Sequence, residues 1–250
     1  MTTALETRNL VKRFGGLVAT NDVTISFQQG MRYALIGPNG AGKTTLVNLL
    51  TGVLRPTSGS VMLEGQDITG MSPFQRVRSG LARTFQINQL FPEMTPLETV
   101  GLAVSERQGH GREWWRLAGS KSEVIDEAAA ILERFGLTDA MGVPTKVLPY
   151  GKQRLLEIAV AIACRPRVLL LDEPAAGVPE EERHEILDIV SGLPNDVTVL
   201  LIEHDMDLVF SFAQRIAVLV NGGLFMEGAA KDVAADPRVR EVYLGEGGHG

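Results

Sequence analysis

The chain has a single cysteine, Cys164, among 250 residues, so it can form no internal disulfide and no cysteine-built zinc site. That economy fits a reducing compartment, and the setting of Cys164 in "AVAIAC" is that of a buried apolar filler rather than a reactive thiol. No apolar run is long enough to span a bilayer, and the N-terminus "MTTALETRNLVKRF" lacks the apolar core of a secretory signal. Work at a membrane would therefore need a partner embedded in it. Basic charge is not in excess either. Lys and Arg number 24 against 30 Asp and Glu, a net charge of −6, which argues against nucleic-acid binding through a broad basic surface. Internal repeats and Pro/Gly-rich linkers are missing as well. What is present is an ordinary globular composition, 44% hydrophobic and 22% charged, in a chain long enough to bury a sizeable core as one large domain or two small ones.

The hydrophobic period alternates between that of strands and that of helices. "VTISF" and "RYALIG" read as strands, and "GKTTLVNLLTGVL" then places Leu46, Leu49, Leu50 and Val53 at helical spacing until Pro56 blocks continuation. "GSVMLEG" returns to strand, and Ser72 with Pro73 predicts the start of a short helix. A helical middle follows, where Val124, Ala128, Ile131 and Phe135 share one face after a capping-box spacing of Ser120 and Glu123. Trp114 and Trp115 lie in the polar stretch "SERQGHGREWWRLAGSKS"; as neighbours they cannot share one face, which favours local packing over partner binding. The second half predicts helices over 152–163, in 180–192 and from Asp205, separated by the strands "RVLLLD", "VTVLLIE" and "IAVLV". Strands apolar on both faces and separated by helices imply an α/β fold with a mostly parallel sheet covered on both sides.

"GPNGAGKTT", residues 37–45, matches the phosphate-binding loop pattern G-x-x-x-x-G-K-[ST] between a predicted strand and helix. Its residues are Gly37, Pro38, Asn39, Gly40, Ala41, Gly42, Lys43, Thr44 and Thr45. The glycines let backbone N–H groups converge on phosphates at a helix N-terminus; Lys43 adds a point charge, and Thr44 offers a hydroxyl to Mg²⁺. Hydrolysis also needs a metal carboxylate and a group that acts on water. "VLLLDEP" supplies Asp172 for Mg²⁺ and Glu173 for the attacking water at the C-terminal end of a strand, where ligands meet open α/β sheets.

With "RTFQ", "LPYGKQ" and "IEHD" added in order, the chain resembles the ATP-binding cassette (ABC) family over nearly its whole length. The resemblance implies a P-loop ATPase fold as a single ATP-binding domain. Its catalytic α/β core, with an antiparallel β edge, would cover 1–89 and 161–250, and an inserted helical subdomain roughly 90–160. It implies ATP and Mg²⁺ as ligands, and a head-to-tail dimer with ATP between the loop of one protomer and the signature loop (Tyr150, Gly151, Lys152) of the other. Gln86 would sense Mg²⁺ or the γ-phosphate, and His204 would contact the γ-phosphate; taken alone, Gln86 reads as a surface polar residue and His204 as a helix-capping or pH-sensitive one. Phe14 stands where the family stacks an aromatic on adenine, against the alternative of a core strand aromatic.

"FGG", "RTFQ", "EPAAG", "IEHDM" and the tail "VREVYLGEG" are similar to the ATPase subunits of branched-chain amino-acid importers. Such subunits pair with a second ATPase, two membrane permeases and an extracytoplasmic binding protein, which implies a place on the cytoplasmic face of the membrane. Two departures stand out. Pro149 and Lys152 replace the signature Ser and Gln, and Pro179 replaces an Asp or Asn in a loop that crosses the family's dimer interface. Proline brings neither a side-chain donor nor an N–H. The expectation is an asymmetric dimer in which this chain's signature completes the weaker site, against the alternative of tolerated drift in a fully active pair. The rival functions are a soluble cassette ATPase that remodels nucleic acid or ribosomes, and a P-loop kinase or small NTPase.

Overall fold

The computed structural model describes residues 2–84, 90–109 and 122–244. In chain order the elements are β1 (Thr3–Phe14), β2 (Leu17–Gln28), β3 (Arg32–Ile36), α1 (Lys43–Leu50), β4 (Ser58–Leu63), β5 (Gln66–Asp67), α2 (Pro73–Arg78), β6 (Leu81–Arg83), α3 (Pro96–Arg107), α4 (Ser122–Arg134), α5 (Tyr150–Ala163), β7 (Val168–Asp172), α6 (Glu180–Ser191), β8 (Thr198–Ile202), α7 (Met206–Phe212), β9 (Arg215–Val220), β10 (Gly223–Ala229), α8 (Ala230–Ala235) and α9 (Pro237–Leu244). They divide into two compact units: Met1–Leu81 with Arg167–Glu173 and Pro194–Gly250, and Ala82–Pro166 with Pro174–Leu193.

The first unit holds a sheet ordered β10-β9-β3-β8-β7, beyond which β6 begins, and a separate antiparallel sheet ordered β2-β1-β4-β5. Strands β3, β7 and β8 pair in parallel, as do β3 and β9, while β10 runs antiparallel to β9 at the edge. Every residue of β3, β7 and β8 is buried, as expected of parallel strands covered on both faces. Strand β1 escaped the sequence reading because repeated register shifts against β2 break its period of two.

Helix α1 ends at Leu50 rather than running on to Val53, which is 53% exposed. Gly52, with φ 78°, turns the chain out of the helix, its N–H donating to Leu49 O at 3.3 Å, and the buried guanidinium of Arg76 in α2 donates to the last carbonyls of α1, Leu49 O at 2.7 Å and Leu50 O at 2.6 Å, and to Thr69 O at 2.9 Å. Burial lowers the Arg76 pKa to about 10. Ser72 caps α2 in a full capping box with Gln75 and with Pro73 in the first turn, as the sequence predicts.

The second unit is mostly helical. Thr95 and Glu98 form a second capping box that starts α3. Val124, Ala128, Ile131 and Phe135 form the buried stripe predicted from their spacing. The expected capping box from Ser120 falls outside the described residues, as do Trp114 and Trp115. Cys164 is only half-buried, at the C-cap of α5, with burial pushing its thiol pKa up. Among the described residues, no helix is long and apolar enough to cross a membrane.

Candidate active site

Loop 37–42 joins β3 to α1, and its path depends on two glycines. Gly37 has φ 153°, and a Cβ there would strike the carbonyl oxygen of Leu219; Gly42, with φ 95°, caps α1 with its Cα against the carbonyl of Ala19. Only glycine fits at either place. The loop borders a cavity of about 470 Å³ lined by Leu17, Val18 and Ala19, by each residue from Asn39 to Thr45, and by Glu173, Asn221 and Gly222. The N–H groups of the first turn of α1 have no earlier helical turn to bond, so the cavity receives the positive end of the helix. Lys43 folds back over the loop, its Nζ donating to the carbonyl oxygens of Gly37 and Pro38.

Across the cavity, β7 ends in Asp172, which is 6% exposed, and Glu173 follows with φ 48°, a left-handed conformation unusual for a non-glycine residue. Glu173 N–H donates to Ile202 O at 2.9 Å, which holds that turn in place. Strain of this kind is stored where the surrounding structure over-determines it. His204 lies beyond β8, with Nδ1 3.9 Å from Glu173 Oε1. Asp205 caps α7, its side chain accepting from the N–H groups of Asp207 and Leu208.

The available donors suit Mg²⁺. Asp172 and Thr44 are hard oxygen ligands at a strand end and in the first helical turn, and among the described residues no group of three His, Cys, Asp or Glu could hold an ion. Mg²⁺ does not demand such a cage; it is held by one or two carboxylates, with phosphate oxygens and water completing the shell.

The predicted residues are thus partly assembled. Asn39, Gly40, Ala41, Gly42, Lys43, Thr44, Thr45 and Glu173 share one cavity. Gly37 and Pro38 shape the loop, Asp172 immediately precedes Glu173, and His204 faces Glu173. Phe14 ends β1 and is 47% exposed, with Lys12 Nζ 5.0 Å from its ring centroid; the core-aromatic alternative is therefore overturned. Gln86 lies outside the described residues.

Tyr150, Gly151 and Lys152 belong to the second unit, at the start of α5. There Pro149 is the N-cap and makes no side-chain capping bond. The Tyr150 hydroxyl accepts from Arg154 Nη2 at 2.6 Å, and a Cβ on Gly177 would come within 3.1 Å of the Tyr150 ring. A Cβ on Gly151 would strike Oε2 of Glu182.

Sequence reasoning missed Leu17, Val18, Ala19, Asn221 and Gly222 as cavity residues. The pair Asn221-Gly222, both at positive φ between the antiparallel strands β9 and β10, carried a readable hairpin signal. That the turn reaches the phosphate loop, through a bond from Gly222 N–H to Ala41 O at 3.0 Å, is a tertiary fact.

Together, a glycine loop feeding a helix N-terminus at the end of a parallel strand, with acids at the end of another strand of the same sheet, defines a P-loop nucleotide-binding protein. The comparisons narrow that class. Residues 20–176 match the ABC transporter family, and residues 226–249 match the family described as branched-chain amino acid ATP-binding cassette transporter. The chain is 40% identical to the high-affinity branched-chain amino acid transport ATP-binding protein BraF of Pseudomonas aeruginosa, over 97% of this chain and 98% of that protein. It is 40% identical to LivG of Escherichia coli K12, which bears the same description, with the same coverage. Among solved structures it resembles an ATP-binding cassette of an ABC transporter in its ADP conformation, with 34% identity and a TM-score of 0.85 over 98% of this chain and all of that one. The chain belongs to the ABC transporter family and is an ATPase subunit of such a transporter.

Proposed function

We propose that this ATPase powers the uptake of branched-chain or related hydrophobic amino acids across the cytoplasmic membrane. The observation that carries the reading is the cavity that joins Asn39–Thr45 to Glu173. The names of the relatives and the match at 226–249 support the solute class.

In this reading the backbone of Gly37–Gly42 cradles the phosphates, and Lys43 exchanges the carbonyls of Gly37 and Pro38 for the β- and γ-phosphates. Thr44, Asp172 and Gln86 are the residues that would hold Mg²⁺, which when bound neutralises charge on the phosphates. Glu173 orients the attacking water and draws off its proton as the bond from the γ-phosphorus to the leaving ADP oxygen breaks. His204 contacts the γ-phosphate. Phe14, exposed at the end of β1, offers a flat face to adenine. Tyr150, Gly151 and Lys152 address the nucleotide held by a second ATPase subunit or a second copy of this chain.

The remaining partners are two permease subunits and an extracytoplasmic solute-binding protein, which place the chain at the cytoplasmic face of the membrane; no nucleic acid takes part. ATP stabilises the closed dimer and hydrolysis releases it, so differential affinity for the closed state converts nucleotide energy into motion. The unusual start of α5 supports an asymmetric pair in which this chain's signature serves the weaker site.

The test is co-purification from membranes followed by reconstitution in vesicles. Recovery with permease subunits and ATP-dependent leucine uptake are expected. Recovery with ribosomes, or vesicles that hydrolyse ATP without taking up any branched-chain amino acid, would overturn the transport reading or the solute class respectively. To test asymmetry, Glu173→Gln in this chain is compared with the corresponding change in the partner; equal losses of ATPase activity defeat it.

A further inference from the structure

Two glutamates stand side by side at the carboxyl ends of neighbouring strands. Asp172 of β7 pairs with Ile202 of β8, so Glu173 and Glu203 are the next residues along each strand. Their surroundings differ sharply. Glu173 has a quarter of its side chain exposed and lines the nucleotide cavity, whereas Glu203 is 2% exposed. His204 follows Glu203 and touches both. Its main-chain N–H donates to Glu203 Oε2 at 3.1 Å, and its Nδ1 lies 3.6 Å from that same oxygen and 3.9 Å from Glu173 Oε1.

A carboxylate buried to this degree is stable only when donors face it, and the low local dielectric strengthens each bond it accepts. The main-chain bond fixes the Glu203 oxygen in place, and a separation of 3.6 Å from Nδ1 lies just outside hydrogen-bond range. The imidazole is 70% exposed, so a small rotation about its own side-chain bonds closes that gap. Glu173 competes poorly for the same nitrogen: it is farther away and shares its charge with solvent and the cavity. The nitrogen of an imidazole that faces a carboxylate carries the proton and sets the direction of the ring, which leaves the other nitrogen for the ligand.

We infer that Glu203 is a positioning residue for the reaction: it accepts Nδ1–H of His204, fixes the imidazole tautomer, and turns Nε2 outward toward the terminal phosphate. The inference rests on the reading of His204 as the γ-phosphate contact. It assigns separate tasks to the two glutamates, with Glu173 on water and Glu203 on the histidine.

Nitrogen-15 NMR of the histidine-labelled full chain, without nucleotide, tests the contact directly. The chain has four histidines, and His204→Gln identifies the resonances of His204. A protonated Nδ1 is expected in the wild type and in Glu173→Gln, with a shift toward the Nε2–H tautomer in Glu203→Met. Wild-type protein with a bare Nδ1 would overturn the inference, whether or not Glu203→Met folds. In the assembled transporter, Glu203→Met is expected to lower ATPase kcat about tenfold with little change in KM, on the scale of lost outer-sphere orientation. Added to His204→Gln it should cost nothing further; a full additional loss would mean that Glu203 acts elsewhere. An unchanged kcat in His204→Gln would instead refute the phosphate contact and leave the NMR result standing, so the two failures are distinguishable.

Discussion

Helices α1 and α5 each begin within a motif proposed to face phosphate, and their far ends are finished in the same way. Arg76 donates to the carbonyls of Leu49 and Leu50 at the end of α1, and Arg107 donates to Ala163 O at 2.6 Å at the end of α5. In both, a guanidinium meets the negative end of the helix. The beginnings differ. Gly42 leads α1 out of an open cavity, with Lys43 beside it and Glu173 on the same lining. Proline caps α5 without a side-chain bond, Gly151 is crowded by the carboxylate of Glu182, and the first turn of α6 carries Glu180, Glu181 and Glu182. The same dipole is left for a ligand in one helix and shared with a protein carboxylate in the other. A helix N-terminus therefore tells little about anion binding until its immediate neighbours are known.

The most severe way to break the open end is to remove the chemistry it serves. Glu173→Gln should reduce ATP turnover about 10²- to 10⁴-fold, the scale of a lost general base, while nucleotide is still retained. Rapid-quench hydrolysis together with nucleotide binding measures both, and a loss of binding as large as the loss of turnover would show that Glu173 holds the nucleotide rather than water. At the other end of α1, Arg76→Met leaves the carbonyls of Leu49, Leu50 and Thr69 without a charged donor. Unfolding free energy should fall by about 3 kcal/mol or more, read from denaturant titration. A change under about 1 kcal/mol would mean that water replaces the guanidinium there at little cost.

What the sequence made legible follows from how local each feature is. The phosphate loop, the Ser72 cap and the stripe from Val124 to Phe135 depend on neighbours a few residues away, and the structure places them as read. Strand β1 was hidden by its register shifts against β2. The stop of α1 before Val53 has a local cause in Gly52, two residues past Leu50, whereas the guanidinium that meets its last carbonyls, that of Arg76, lies 26 residues beyond Leu50 and was hidden. Glu203 looked like one more acid in "IEHD" until its burial against His204 was seen. Leu17–Ala19 and the Asn221-Gly222 turn join the cavity only through the assembled strands.

The crowded start of α5 admits a gain-of-function test. Replacing Pro149 by Ser restores an N–H and a hydroxyl at the N-cap, and Glu182→Gln removes the charge beside Gly151. Each should preserve or raise ATPase turnover of the assembled pair, by roughly two- to fivefold where it raises it, the range of a partly screened helix-dipole interaction. A clear fall for Pro149→Ser would count against the lost hydroxyl as the cause of weakness. A fall for Glu182→Gln would mean that the carboxylate supports α5 rather than competing with its ligand.

The smallest effect expected is at the shared feature, the guanidinium at the end of α5. Arg107 is held there by Glu127, its Nη2 2.6 Å from Oε2, and Arg165 Nη2 lies 2.8 Å from the other oxygen. Hydrogen bonding from Arg107, then from Arg165, lowers the Glu127 pKa below its usual carboxylate value. A depressed folded pKa means that the ionised form is favoured by folding, so the contribution is complete above the unfolded value near pH 4.5 and disappears as pH falls through the folded one. Glu127→Gln should therefore cost about 1 kcal/mol at neutral pH, and the gap from wild type should narrow steadily in acid. A gap that stays constant from pH 7 down to about pH 3 would show that contact rather than charge makes the difference, since a carboxyl protonated in both states no longer distinguishes folded from unfolded chain. Arg107 would then hold Ala163 O without help from its acid, and the two helix ends would be alike in mechanism as well as in geometry, because Arg76 has no such carboxylate bonded to it among the described residues.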